Sequence, residues 1–208
     1  MTNGSVAFLA SLPELVLRQR VEVAEAFGLE TANSYDLFLP NGGQLRAAER
    51  PGGFWDGFGR QLGGHTANAF VVDVFDAHQR VILTIHHPAR FIQQEVTVFT
   101  GSGRPLGAIK QAFTLFDKEL SVSLAQRPEA FTMNAGMFSW DMPIMAASRA
   151  AEAARITKHW SGAGRELFTD ADSFRLVFAP WLDADARAMM VATALFVDLV
   201  FFERRAGR

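Results

Sequence analysis

The chain has 208 residues, 49% of them hydrophobic, with 19 phenylalanines and a formal net charge of −2. That supply of apolar side chains excludes a disordered chain and suits one domain with a substantial core. The slightly acidic balance argues against a general nucleic-acid binder, and the absence of cysteine excludes disulfides, thiolate zinc sites and a cysteine nucleophile.

Residues 1–12 are expected as a flexible N-terminus and residues 13–208 as a single domain. The short apolar stretch Val6–Leu12 has no Lys or Arg before it and does not read as a signal peptide. The expected location is cytoplasmic, peripheral on the inner face of the plasma membrane.

From Leu17 to Val23 charged and apolar residues alternate, a strand with one wet and one buried face. Similar runs follow at Tyr35–Leu39, Phe70–Phe75, Val81–Ile85, Glu95–Phe99, Phe113–Phe116, Leu120–Leu124, Ala130–Met133, Pro143–Met145, Arg155–Trp160 and Phe174–Phe178. Asn41-Gly42-Gly43 and Gly101-Ser102-Gly103 supply residues that tolerate positive φ, as tight hairpins require, and Asp76-Ala77-His78-Gln79 is a softer turn. The Gly-rich stretch Glu49–Gly64 reads as a loop. Short strands at this spacing predict a sandwich or barrel. Arg18, Arg20, Arg46 and Arg50 could gather on one basic side, but a solvated polar strand face is the expected account of them.

The last forty or so residues change pattern. Asp183 and Asp185 favour a helix start, and Ala186–Phe202 is apolar nearly all round, as in a helix buried in a core or lying in a membrane. Ala188–Phe202 would be about 22 Å long against about 30 Å of bilayer hydrocarbon, so the buried helix is the expectation. Asp198 then needs a buried partner or a place near the rim.

The residues also carry a resemblance. Ile156-Thr157-Lys158-His159-Trp160-Ser161-Gly162, Arg165-Glu166 and Phe168-Thr169-Asp170-Ala171-Asp172 resemble the signature of the phospholipid scramblase family. The likeness continues through Phe174, Phe178, Phe196–Leu199 and Phe201-Phe202-Glu203, with supporting matches at Gly28–Tyr35, Val81–Phe91 and Arg104–Ile109. It implies the tubby-like (LURP-one-related) fold, a closed antiparallel barrel of about twelve strands around a central hydrophobic C-terminal helix, which leaves no strand edge exposed. It also implies bidirectional, calcium-dependent movement of phospholipid between leaflets, with no covalent chemistry. The alternative is a soluble module that binds anionic lipid or a protein partner without moving lipid. Animal members are held at membranes partly by lipidated cysteines, which this chain lacks.

The resemblance places its calcium segment at Asp170, Asp172, Phe174, Leu176 and Phe178, with Phe174, Leu176 and Phe178 offering only backbone carbonyls. An EF-hand-like loop wants glycine at the sixth position and a carboxylate at the twelfth, where this chain has Arg175 and Trp181, and Asp183 comes two residues late. Read by its alternation, Phe174–Phe178 is a barrel strand preceded by turn aspartates, and weak or absent calcium binding is expected. His86 and His87, adjacent on a strand, face opposite sides and do not share an ion. No nucleophile elbow or phosphate loop is present.

Overall fold

A computed structural model describes residues 6–20, 33–50, 70–88, 95–113, 118–127, 129–135, 140–159 and 173–199. Among them, period-two alternation produces twelve strands: β1 Glu14–Gln19, β2 Ser34–Phe38, β3 Gln44–Glu49, β4 Phe70–Phe75, β5 Val81–His87 and β6 Glu95–Thr100, then β7 Pro105–Phe113, β8 Lys118–Leu124, β9 Ala130–Ala135, β10 Asp141–Ala146, β11 Ala151–His159 and β12 Ser173–Phe178. Each strand pairs antiparallel with its sequence neighbours, and β1 pairs with β12, closing the barrel. The fold is the mainly β, closed barrel that the sequence predicts.

Closure works because the inner faces of the strands are predominantly apolar, with His87, Thr100 and Gln111 as buried polar exceptions. In β1, Leu15 and Leu17 are 1% exposed while Arg18, beside Leu17 on the opposite face, meets water. The space enclosed is filled by a helix, α1, Ala184–Val197, with every residue from Ala186 to Val197 buried. A helix apolar on all sides needs a surrounding core, and the barrel wall supplies one. Gly107 leaves no room for a side chain: a Cβ there would stand 1.9 Å from the Ser123 carbonyl oxygen of β8, with the Met189 methyl of α1 3.0 Å away.

The connections fall into two sets. At the end where β12 feeds α1, hairpins such as Leu39–Gly43, Asp76–Arg80 and Gly101–Arg104 are tight, and Gly103 takes φ +83°, open to glycine without strain. Strand ends at the other rim lead to residues 21–32, 51–69, 89–94, 114–117, 136–139 and 160–172, which lie outside the described residues. Glu49–Gly64, expected as a loop, falls there from residue 51 onward.

The strand β3 is a departure from the predicted runs. Its Gln44-Leu45-Arg46-Ala47-Ala48-Glu49 alternates, but two alanines weaken its β character, and pairing with β2 and β4 carries it. Of the predicted run Phe113–Phe116, Phe113 ends β7 and the rest lies outside the described residues. Residues 7–11, inside the segment expected as a flexible N-terminus, form a 3-10 turn, and Val6, Leu9 and Leu12 join the core.

Candidate functional site

The residues singled out for calcium divide at Ser173. Asp170 and Asp172 lie outside the described residues. Phe174, Leu176 and Phe178 belong to β12, with their side chains buried against the helix-filled interior. Leu176 stands opposite Leu15 of β1 and Ile156 of β11, and Phe174 opposite Leu17 and Lys158. A strand paired on both sides has its carbonyls committed to the two ladders, so an ion could reach them only by opening the barrel wall. Arg175, at the glycine position of the loop pattern, points outward and ion-pairs with Glu14. Trp181 is half-buried, with the Arg149 guanidinium 4.6 Å above its ring. Among the described residues no group of three or more His, Asp or Glu side chains could hold a metal ion. The described part of this segment therefore does not fit a calcium loop.

Asp183, the late acidic residue, has another task. It caps α1, its Oδ1 accepting from the Ala186 N–H at 2.9 Å, and it pairs with Arg127 at 2.7 Å. Burial raises its carboxyl, but the Ala186 N–H and Arg127 outweigh this and hold it below the usual range. Beside it, Arg104 donates to both oxygens of Asp185 at 2.9 and 2.8 Å, which raises the guanidinium above its ordinary value against the effect of burial.

Arg187 is the buried cation that sequence reading passed over, a lone charge in an apolar helical run. It is 4% exposed and donates to the carbonyls of Leu9 (3.2 Å), Leu12, Ala179 (3.2 Å) and Pro180 (3.4 Å), with Phe178 5.4 Å below its guanidinium. Burial lowers its affinity for the proton, and Asp183 offsets part of that. The group ties the N-terminal turn and the β12–α1 connection to the helix, and its four acceptors account for why the charge is tolerated inside. At the far end of α1, Asp198, expected to have a buried partner or a place near the rim, is 1% exposed, and its N–H reaches the carbonyls of Ala194 and Leu195.

The paired histidines separate as expected. His86 is exposed, while His87 is 1% exposed and stacks on Phe70 at 4.7 Å, with Phe196 of α1 at 6.5 Å. His87 is a packing group of the interior.

The four arginines do gather. Arg18 and Arg20 at the end of β1, Arg46 on β3 and Arg50 just after it share the outer wall of β1–β4. Arg20 pairs with Asp36 at 3.1 Å, and Arg50 grips Asp73 at 2.7 Å. Outward positions elsewhere are also charged, as at Lys110, Arg155 and Arg175, so the wall is polar outside and apolar inside. A membrane-spanning barrel has the reverse arrangement. Among the described residues no helix is long and apolar enough to cross a membrane.

Comparison with known proteins completes the picture. The sequence model of one family, described as Scramblase, matches residues 1–204. Phospholipid scramblase 2 of Homo sapiens is 26% identical over 95% of this chain and 70% of its own length. Phospholipid scramblase 1 of Homo sapiens is 24% identical over 94% of this chain and 65% of its own. Altered inheritance rate of mitochondria protein 25 of Saccharomyces cerevisiae is 26% identical over 93% and 72%. No solved structure matches the chain significantly.

Proposed function

The chain belongs to the scramblase family, and on that premise we propose that it works on phospholipid membranes from their surface, with α1 remaining inside the barrel. The observation that supports this reading is the use of the helix. Every residue from Ala186 to Val197 is buried among the strands. A helix that fills the barrel cannot span a bilayer without emptying the core, and losing a buried Leu- or Phe-sized side chain from a core costs about 2–5 kcal/mol each time. A peripheral position on the inner face of the plasma membrane belongs to the same proposal. Flotation with phosphatidylcholine vesicles containing phosphatidylserine tests it: the protein is expected to rise with them at low salt, and failure to rise would remove the lipid role.

A second reading, movement of phospholipid between leaflets, is favoured by the names of the two human relatives. In this chain such exchange would have to follow from contact with the bilayer surface, because a single short helix gives a headgroup no polar path through hydrocarbon. Purified protein in vesicles with one labelled leaflet provides the test. Exchange above that of empty vesicles supports the second reading; none, with or without calcium, leaves binding alone.

A further inference from the structure

The barrel wall is electrically two-sided. On one side, strand register sets Arg18 of β1 opposite Asp36 of β2, and Asp36 opposite Arg46 of β3. Side chains so placed have Cβ atoms roughly 4.5–5.5 Å apart, so one carboxylate sits between two guanidinium groups. That carboxylate is already taken by Arg20 at 3.1 Å and is only 15% exposed. Arg18 and Arg46 are both exposed and have no carboxylate partner among the described residues. Arg50 is neutralised by Asp73, which also accepts from Thr84 at 2.8 Å. The excess positive charge is thus carried by Arg18 and Arg46. Beside them Phe38 is 38% exposed, its ring centroid 6.0 Å from the Arg18 guanidinium.

The wall across the barrel is opposite in character. Outward positions of β6, β7, β8, β10 and β11 carry Glu95, Glu119, Asp141 and Glu152 against Lys110 and Arg155. Both of those cations are neutralised, Lys110 by Glu95 at 3.4 Å and Arg155 by Asp141 and Glu152 at 2.6 and 2.5 Å. A chain of net charge −2 that collects uncompensated arginines on one wall is turned by a negative surface so that this wall meets it.

We propose that the outer wall of β1–β3, centred on Arg18, Arg46 and Phe38, is the face that docks on an anionic phospholipid bilayer. The inference rests on the surface-acting function above and names the surface responsible. Guanidinium groups present planar forks suited to phosphate oxygens. The exposed phenylalanine favours a lipid surface over duplex nucleic acid, whose backbone offers phosphate but whose bases are stacked inside and out of reach of an aromatic ring.

The test is flotation of the full chain with phosphatidylcholine vesicles, with and without phosphatidylserine, at low salt. Arg18→Glu/Arg46→Glu is compared with Lys110→Glu/Arg155→Glu, which changes net charge equally on the other wall. All four side chains point outward, and circular dichroism confirms that each variant folds. If charge reversal on β1–β3 does unfold the chain, Arg18→Gln/Arg46→Gln replaces it. The first pair is expected to weaken partitioning onto the anionic vesicles by about twenty-fold or more, and the second by far less. Equal loss in both variants, or none in either, overturns the assignment of this wall while leaving lipid binding in place. Absence of binding by the unaltered protein instead overturns the surface-acting function itself. Tighter binding of the unaltered protein to duplex DNA than to these vesicles reassigns the wall to nucleic acid and overturns the lipid assignment.

Discussion

Single residues hold the entrance of the barrel. Arg187 satisfies carbonyls from two separate segments, so Arg187→Met leaves the Leu12 carbonyl without its donor, while the Leu9 carbonyl keeps only the Leu12 N–H. The expected cost is about 1–3 kcal/mol in urea denaturation. The Leu9 and Leu12 amides, bonded within the N-terminal turn, should also exchange faster. Unchanged stability and exchange would contradict the clamp. Asp183→Ala should cost about 1 kcal/mol through the lost cap. Because the folded carboxyl lies below its ordinary value of 3.8, its contribution is complete above that value. It is lost as pH falls through the lower, folded value. The gap in stability between wild type and Asp183→Ala is therefore expected to close below about pH 4; a gap independent of pH would contradict the assignment. At this scale the sequence was only partly legible. Asp183 announced itself as a cap by its position before an apolar run. Arg187 did not, because its acceptors are backbone carbonyls drawn from residues 9, 12, 179 and 180, and carbonyls leave no mark on composition.

Among the elements, β12 and α1 decide the functional reading. Phe174, Leu176 and Phe178 alternate inward along a strand paired with both β1 and β11. Calorimetry of the full chain with calcium is accordingly expected to show no micromolar binding. A micromolar heat abolished by Asp170→Ala would contradict that expectation and restore the loop. In α1, Phe196 is fully buried and faces His87. Phe196→Ala should therefore destabilise the barrel by about 3–5 kcal/mol, measured by thermal or urea unfolding. A loss under about 1 kcal/mol would mean that the helix is not packed in the core. Most elements were readable because strand alternation and a uniformly apolar helix are patterns with different periods. β3 escaped for a physical reason: Ala47 and Ala48 satisfy the inner and outer positions by being small, so the alternation has little amplitude. The basic wall was legible as four arginines but not as a face, since cross-strand register is set by pairing partners distant in sequence.

For the whole molecule, closure of the sheet and burial of the helix are one event. Among the described residues the largely apolar inner faces of the strands are covered mainly by α1, with Val6, Leu9 and Leu12 of the N-terminal turn in the same core, and α1 has no polar side that could face water. Neither part is stable alone in this arrangement, which makes the barrel cooperative and makes extraction of the helix into a bilayer costly. The resemblance to phospholipid scramblases implies a membrane role, and the buried helix is the reason that our proposal assigns that role to the outer wall. The direct test is hydrogen exchange on the protein free and bound to phosphatidylserine-containing vesicles, following peptides from α1 together with β5 and β8. Unchanged protection of helix and strands on binding is the predicted result. Loss of protection in β5 and β8 while α1 stays protected would show that the helix had left the barrel for the bilayer, and would contradict the account.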